Sequence, residues 1–194
     1  MAKILIRKAK LSDVEDFSKL FLFTAPVLFT SLFGSNVNKK LREFFKRKNN
    51  LFSFQHTYFL ELNGKVIGMA LAYDYNQKKK ETLKTSLLLL KYLKGDLCTR
   101  FKKLSKLGSL AQIKENEYYF SHLSFYPEFR NKNFGKKFND FIERKARGKK
   151  IVLDTNVNNL KAIKAAKKYG YKIESKSPVL KIENKKFQFF KMSK

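Results

Sequence analysis

The sequence predicts a mixed α/β (α+β) fold, and two segments carry most of that prediction. Residues 57–62 and 65–73 are strand-like runs joined by Asn63-Gly64, a pair that readily adopts the positive φ angles of a tight hairpin turn. Residues 118–137 read as a strand, a basic loop that contains a glycine, and the start of a helix. This arrangement presents backbone N–H groups and a helix N-terminus to a phosphate, so we expect the function to depend on that loop.

The other periodic segments complete an alternation of strands and helices. Ser12 and Asp13 offer caps for an early helix. Residues 76–115 predict two helices inserted between strands, broken near Gly95 and Gly108, because their apolar residues recur at helical spacing. We expect the apolar faces of these two helices to pack on the rest of the domain through Leu83, Leu87, Leu90, Leu93, Phe101, Leu104 and Leu107. The remaining predicted elements are strands at 3–8, 117–125, 151–155, 171–174 and 187–192, and helices at about 36–48, 134–147 and 158–168.

Length and composition predict one domain over residues 1–194, with residues 76–115 as an insertion. The chain has 194 residues, of which 43% are hydrophobic, and this is enough for a sizeable core. Residues 21–33 are strongly apolar but are interrupted by Pro26 and polar side chains, so no membrane span is expected. The N-terminus lacks the apolar segment of a signal peptide. Cys98 is the single cysteine, which predicts neither a disulfide nor a cysteine metal site. These features predict a cytoplasmic protein.

The charge of the chain is extreme. Its formal net charge is +27, from 43 Lys plus Arg against 16 Asp plus Glu. Such a chain attracts polyanions. The lysines are spread along the whole sequence, whereas a nucleic-acid-binding function calls for a clustered footprint with base-reading or stacking groups. A general compositional bias is therefore the favoured explanation, and non-specific nucleic-acid binding remains the alternative.

Three segments carry recognisable motifs. VIGMALAY follows the hairpin turn, SHLSFYPEFRNKNFGKKF spans the basic loop, and NNLKAIKAAKKYGYK lies near the C-terminus. They resemble the third strand, the acyl-CoA loop (Q/R)-x-x-G-x-(G/A) and the N-x-x-A-x-x-x-Y-x-x-x-G-(F/Y) segment of the GNAT superfamily of acyl-CoA-dependent N-acyltransferases. The resemblance covers most of the chain outside residues 76–115. It implies a central mixed, mostly antiparallel sheet flanked by helices, with a helical insertion between the third and fourth strands.

The resemblance also implies an acetyl-CoA site. Arg130 occupies the Q/R position and Gly135 the final G/A position, while Asn133 stands where the first glycine is usual. Asn tolerates left-handed backbone geometry better than other residues that carry a side chain, so the loop can still form. In the family the loop N–H groups bind the CoA diphosphate, and main-chain groups of the preceding strand pair with the pantetheine arm. The implied contacts are Leu123, Ser124, Phe125, Arg130, Asn131, Lys132, Asn133, Phe134, Gly135, Lys136 and Asn159.

The candidate catalytic residues lie on the strand before the loop and after the last helix. Glu117, Tyr119 and Ser121 share one face of a regular strand and could order a water that deprotonates an amine, with Leu123 and Phe125 expected on the same face. Strand alternation places His122 on the opposite face with Tyr118, Phe120 and Ser124, where a packed structural role is favoured, as it is for His56. Ala166 stands at the position of the family's tyrosine acid, and Tyr169, one helical turn on, is a candidate replacement.

The resemblance implies transfer of an acetyl group from acetyl-CoA to a primary amine by direct attack. The acceptor is a small molecule or a protein amine, and residues 76–115 with the first two helices are expected to frame its cleft. No metal-ligand set is visible in the sequence. The alternative is a GNAT-fold protein with little catalysis that binds CoA or RNA; Ala166 and the net charge favour it, and the loop with Asn159 opposes it.

Overall fold

A seven-stranded sheet forms the centre of the molecule. The structure is a computed structural model that describes residues 3–108, 110–130 and 132–194. Its strands are β1 (Ile4–Lys8), β2 (Thr57–Leu62), β3 (Lys65–Asp74), β4 (Glu117–Phe125), β5 (Lys150–Asn156), β6 (Lys172–Lys176), β7 (Leu180–Ile182), β8 (Lys185–Phe187) and β9 (Phe189–Ser193). Its helices are α1 (Val14–Thr24), α2 (Pro26–Phe33), α3 (Val37–Lys46), α4 (Tyr75–Tyr92), α5 (Leu97–Gly108), α6 (Phe134–Ala146) and α7 (Leu160–Lys168).

The sheet is mixed and mostly antiparallel, as expected. Its strand order is β1-β2-β3-β4-β5-β9-β6, and β4 and β5 are its parallel neighbours. A separate hairpin is formed by β7 and β8. Helices α4 and α5 lie between β3 and β4 in the chain, so the predicted insertion is confirmed. The predicted β2–β3 hairpin is also confirmed, with φ of 50° at Asn63 and 80° at Gly64 in its turn.

The two faces of the sheet carry separate hydrophobic clusters. On one face, called here the α1–α3 face, Met69, Leu71, Tyr73 and Tyr119 pack with the first three helices. On the other, called the α6–α7 face, the alternate strand residues pack with α6 and with the end of α7. Alternation along β3 and the first part of β4 therefore supplies both layers, as expected of a sheet covered on both sides.

A β-bulge in β4 changes which side chains share a face. In the pairing with β3, Leu71 lies opposite His122 and Ala72 opposite Phe120, so Ser121 is an extra residue in β4. The expected alternation is therefore wrong beyond Ser121. His122 stacks on Phe21 of α1, with ring centroids 4.2 Å apart. The side chains of Ser124 and His122 lie on the α1–α3 face, and Phe125 packs on the α6–α7 side against Phe134 and Phe138.

The N-terminal helices differ from the prediction in two ways. Helix α2 was not predicted, because Pro26 interrupts an apolar run. Pro26 occupies the first turn of this helix, where proline is tolerated. Asp13 precedes α1, yet its carboxylate accepts hydrogen bonds from the backbone N–H of Lys10 and from Arg7 and does not cap that helix. The buried side chains of α1, α2 and α3 nonetheless build most of the α1–α3 face, as the positions of Phe17, Leu41 and others show.

The inserted helices pack through only part of the expected face. Leu93 is buried in the cluster of the α1–α3 face, and Leu104 and Leu107 of α5 pack against it. Leu83 and Leu87 of α4 are 71% and 58% exposed, and Phe101 of α5 is 52% exposed. The buried side of α4 carries Glu81, Thr85 and Leu89. The Glu81 carboxylate pairs with His56 Nε2 at 2.7 Å, and Thr85 Oγ1 accepts a hydrogen bond from the backbone N–H of Leu51. Polar contacts with the loop before β2 therefore orient α4, and the leucine stripe of Leu83 and Leu87 faces outward.

Near the C-terminus, the β7–β8 hairpin was not foreseen. Its residues Leu180, Ile182 and Phe187 are buried in the cluster of the α1–α3 face. Within the described residues, no single helix is both long and apolar enough to cross a membrane; one pair, Leu11–Thr24 with Pro26–Phe33, meets the length and composition criteria only jointly and is bent by 107°.

Candidate active site

The parallel strands β4 and β5 separate after a short paired stretch. They pair only at Glu117–Lys150, Tyr118–Ile151 and Tyr119–Val152, although β4 runs on to Phe125 and β5 to Asn156. The gap between β4 beyond Tyr119 and β5 beyond Val152 is called here the β4–β5 fork. Along it, the β5-facing edge of β4 has no strand partner among the described residues. An extended ligand can therefore hydrogen-bond to this edge as an added strand would.

The loop after β4 delivers an uncapped helix to the mouth of the fork. Asn133 adopts the left-handed conformation, with φ 61° and ψ 7°, as expected for the residue that replaces a glycine. Among the described residues, no side chain caps the first N–H groups of α6. These groups and the helix dipole favour an anion. Asn131, another expected contact, lies outside the described residues.

The basic side chains of the loop lie close to the helix start. Lys132 Nζ is 5.6 Å from the centroid of the Phe129 ring, and Lys136 Nζ donates to Asp140 at 2.8 Å. Arg130 folds back, so that its Nε donates to the carbonyl of Phe125 and its guanidinium lies over Phe23. Arg130 therefore braces the end of β4 against α1. Lys132 supplies positive charge before α6, whereas the Lys136 ammonium is paired with Asp140 one turn further along the helix.

Gly135 is a point of close packing within α6. A Cβ atom there would lie 3.1 Å from the hydroxyl oxygen of Tyr169. The structure therefore places Tyr169 beside the first turn of α6. Asn159 caps α7, since its Oδ1 accepts a hydrogen bond from the N–H of Ala162 at 3.1 Å. Ala166 is buried against the α6–α7 face.

The three contacts expected at the end of β4 have different environments. Leu123 is 36% exposed and is the most open of them. Ser124 is buried, and its hydroxyl donates to the carbonyl of Leu20 in α1 at 2.6 Å. Phe125 lies opposite Gly68 of β3, where a Cβ atom would come 2.3 Å from the Phe125 ring. The absence of a side chain at Gly68 therefore leaves space for the Phe125 ring, which packs against Phe134 and Phe138 of α6.

On the α1–α3 face, the bulge gathers polar groups beside the fork. Ser121 Oγ lies 2.6 Å from His122 Nδ1, and the Tyr119 hydroxyl donates to Asp154 Oδ2 at 2.8 Å. The rings of Tyr119 and Tyr73 are in contact, with centroids 5.4 Å apart. Two of the catalytic candidates, Tyr119 and Ser121, thus meet a histidine, a second tyrosine and a carboxylate.

Burial sets the protonation states of this group. It raises the pKa of Tyr73 and, with the neighbouring Asp154 carboxylate, holds the pKa of Tyr119 well above its ordinary value, so both phenols stay protonated. Burial also lowers the pKa of His122 to about 3, and its ring is therefore neutral at pH 7. The pKa of Asp154 is raised by burial, against the opposing effect of its hydrogen bonds from Tyr119 and Ala111.

Glu117 is held in a salt bridge. It is 2% exposed, its carboxylate oxygens accept hydrogen bonds from Lys191 Nζ at 3.1 and 3.0 Å, and one of them also accepts from the backbone N–H of Lys114. Glu117 lies at the start of β4, where that strand is still paired with β5. Glu117 therefore lies apart from Ser121, which is in the middle of β4. Tyr169, the remaining catalytic candidate, lies beside the first turn of α6.

Sequence reasoning did not single out Tyr73 or Asp154. Tyr73 ends the apolar run of β3, and Asp154 interrupts the apolar strand IVLDT. A carboxylate in an otherwise buried strand is a signal that could have been used, because such a group needs a partner. Among the described residues, no group of three or more His, Cys, Asp or Glu side chains is arranged to hold a metal ion.

The fork and the α6 start fit the parts of an acyl-CoA. An unpaired strand edge suits the amide groups of pantetheine, and uncapped N–H groups next to Lys132 and Lys136 suit a diphosphate. Gly135 keeps the first turn of the helix free of a side chain. The thioester end would then lie in the fork, near the polar groups on the α1–α3 face.

Known structures share this fold. An N-acetyltransferase from Staphylococcus aureus Mu50 is similar with a TM-score of 0.73 and 19% identity, covering 97% of this chain and 99% of that one. A putative acetyltransferase from Salmonella typhimurium, described with its cofactor acetyl-CoA, is similar with a TM-score of 0.57 and 14% identity, over 98% of this chain and 92% of that one. No protein of curated function matches the sequence significantly.

A family model extends the likeness from fold to sequence. The model for the acetyltransferase (GNAT) family matches residues 26–171, well over half of the chain. That range includes the insertion, the fork, the loop before α6 and the whole of α7. The chain belongs to the acetyltransferase (GNAT) family.

Proposed function

We propose that the protein is an N-acetyltransferase that moves the acetyl group of acetyl-CoA to a primary amine by direct attack. The observation that carries the proposal is the β4–β5 fork leading to an uncapped α6 whose preceding residue, Asn133, is in the left-handed conformation. Family membership supports the use of acetyl-CoA. The polar groups on the α1–α3 face lie where the thioester end of a ligand in the fork would arrive.

The chain contributes binding and orientation first. The start of α6, with Lys132 and Lys136, would hold the diphosphate, and the edge of β4 from Phe120 to Phe125 would align the pantetheine arm. A backbone N–H of β4 would polarise the thioester carbonyl. Fixing the carbonyl and the amine in contact removes much of the entropic cost of the reaction.

The reaction places few demands on a general acid. The amine nitrogen attacks the carbonyl carbon, the C–N bond forms, and the C–S bond breaks with loss of CoA thiolate. A thiol has a pKa of about 8.5, so the thiolate leaves with little assistance. Ala166 at the usual tyrosine position is therefore compatible with turnover. Both tyrosine hydroxyls beside the fork stay protonated. That of Tyr119 donates to Asp154, so Tyr73 is the candidate to stabilise the departing sulfur by hydrogen bonding.

The test combines ligand binding with turnover. Acetyl-CoA at millimolar concentration should raise the melting temperature, because it binds the folded state. Thiol release should then be followed with a panel of primary amines that includes amino acids, polyamines, amino sugars and lysine-containing peptides. Amine-dependent release of CoA supports the proposal, and the absence of any thermal shift would contradict it.

A binding protein without turnover is the second candidate. Two observations favour it: Ala166 removes the family's usual acid, and the net charge of +27 suits a polyanionic partner. A clear thermal shift with acetyl-CoA, combined with inactivity towards every amine in the panel, would favour this candidate over the enzyme.

A further inference from the structure

A small pocket opens beside the fork on the α1–α3 face. Its volume is about 200 Å³, and its walls are the 110–112 segment after α5, Asp154 of β5, Lys191 of β9, and residues Ser175, Lys176 and Ser177. Asp154 lies two positions beyond Val152, the last β5 residue that pairs with β4, and holds the Tyr119 hydroxyl. The pocket therefore adjoins the point where the two strands part. A volume equal to about seven waters suits a group of amino-acid size and is smaller than an ordinary drug-sized site.

The Asp154 carboxylate has one oxygen available to a ligand. Its Oδ2 accepts both structural hydrogen bonds, from the Tyr119 hydroxyl at 2.8 Å and from the Ala111 backbone N–H at 3.0 Å. Across the described part of the chain, no group donates a hydrogen bond to Oδ1. The side chain is thus fixed in orientation by two partners and retains an acceptor for an ammonium group.

Positive charge surrounds this carboxylate. Lys78 of α4 and Lys191 of β9 are close enough to act on its charge, and Tyr119 and Tyr73 are the titratable groups that face it from β4 and β3. Glu117 neutralises Lys191 through two hydrogen bonds. Lys78 adds positive charge beside the pocket, so a ligand that carries only positive charge gains little there.

We propose that this pocket is the acceptor subsite, that it takes a small primary amine carrying an anionic group, and that Asp154 binds the ammonium and removes its proton. The inference rests on the proposed acetyltransferase function. Lys78 of α4, whose Nζ donates to the carbonyl of Ala111 in the pocket wall, is placed to receive the anionic group. Amino acids are the simplest molecules with this combination of size and charge.

The proton balance is closed without another reactant. The ammonium gives one proton to Asp154, and the free amine then attacks the thioester carbonyl. The C–N bond forms, the C–S bond breaks, and the second proton of the nitrogen passes to the departing thiolate. The amide and CoA leave, and Asp154 returns its proton to water.

The experiment uses the full-length protein with L-amino acids and their matching carboxamides as probes. Carboxamides are weaker bases, so they offer more free amine at pH 7, and a preference for the acids must come from binding. We expect at least one amino acid to exceed its carboxamide about tenfold or more in kcat/KM. Lys78→Gln should reduce that preference, because it should lower kcat/KM for the acid more than for the carboxamide.

Asp154→Asn tests the proton transfer. It should lower kcat/KM by about 100-fold or more and remove the rise of activity with pH that Asp154 contributes, while the thermal shift with acetyl-CoA stays as in the unmodified protein. Glu43→Gln, an exposed carboxylate change on α3, is the matched control and should retain activity. A second readout is calorimetry of the preferred amino acid binding to the CoA-saturated protein. In the unmodified protein this binding should release less than one proton to the buffer, because Asp154 takes the proton of the ammonium group. The change of binding affinity with pH should differ in Asp154→Asn.

Three results would overturn the proposal. They are equal use of acids and carboxamides, full activity of Asp154→Asn with an unchanged pH profile, and a panel in which only amines outside the amino acids are acetylated or bound. The third result would leave the acetyltransferase function standing, whereas loss of the thermal shift with acetyl-CoA would remove that function itself.

Discussion

One extra residue in β4 decides which side chains meet at the fork. Because Ser121 bulges, His122 shares the α1–α3 face with Tyr119, and its Nδ1 lies 2.6 Å from Ser121 Oγ. The His122 ring is stacked on Phe21 and lies near Phe29. A neutral imidazole is compatible with this aromatic setting, whereas a charged one would lose its hydration without gaining an acid partner.

The buried His122 should make the fold sensitive to acid. Its folded pKa, about 3, lies below the ordinary value of 6.5, so the unfolded chain binds a proton first as pH falls. Stability is therefore full above about pH 6.5 and is lost towards pH 3, by about 2 kcal/mol between pH 6.5 and 5.

Replacing His122 with Phe should remove that loss. Urea unfolding of the two proteins at pH 7 and pH 5 gives the difference in free energy of unfolding. The comparison between the two pH values cancels the direct packing effect of the substitution. Equal pH dependence in both proteins would show that His122 titrates normally in the fold.

Gly135 should control ligand binding. A Val side chain would occupy the first turn of α6 and crowd the Tyr169 hydroxyl, which is 3.1 Å from the Cβ position. We expect Gly135→Val to abolish the melting-temperature shift with acetyl-CoA. Gly108→Val is the control, because a Cβ at Gly108 contacts nothing within 4 Å. A normal shift in Gly135→Val would mean that the diphosphate binds elsewhere.

Among the elements, the inserted α4 shows that polar contacts can set the orientation of a helix against the direction its apolar spacing indicates. Glu81 reaches the buried His56, and Thr85 accepts a hydrogen bond from Leu51, so the side of α4 with these residues faces the core. The leucine spacing predicted the helix and the packing of Leu93, but it also placed Leu83 and Leu87, which are exposed, on the packed face. Spacing reports periodicity, and the orientation depends on partners far away in sequence.

Two leucines of α4 provide a matched test of this packing. Leu89 is 9% exposed and packs in the core of the α1–α3 face, whereas Leu83 is 71% exposed. Leu89→Ala should cost about 2–3 kcal/mol of unfolding free energy, and Leu83→Ala should stay within about 0.5 kcal/mol. Denaturant unfolding measures both. A larger cost at Leu83 would imply that the leucine stripe is covered in solution.

Whether the other elements could be predicted depends on how far apart in the sequence their stabilising partners lie. The β2–β3 hairpin and the loop before α6 follow from local chemistry, since Asn63-Gly64 and Asn133 accept positive φ. The bulge at Ser121 depends on pairing between strands and could not be predicted from local sequence. Asp154 could have been noticed as a carboxylate in a buried strand, but its partner Tyr119 is 35 residues away in the chain. Helix α2 and the β7–β8 hairpin were missed for a related reason: each is short and is stabilised by packing on the α1–α3 face.

For the whole molecule, the charge of +27 predicts salt-dependent adhesion to RNA. Binding through spread lysines should weaken linearly on a plot of log affinity against log salt and should show little sequence preference. Fluorescence anisotropy with unrelated single-stranded RNAs, at several salt concentrations, measures both properties. Strong preference for one RNA at physiological salt would instead indicate a specific nucleic-acid site.

Acetyl-CoA should bind along β4 and at the start of α6. Hydrogen–deuterium exchange with and without acetyl-CoA tests this binding most directly, because the fork-facing amides of β4 lack a strand partner. We expect slower exchange in residues 120–125 and 133–136 when the ligand is bound, with little change in β1 and β2. Unchanged exchange in both segments at saturating acetyl-CoA, or protection confined to another surface, would contradict this binding.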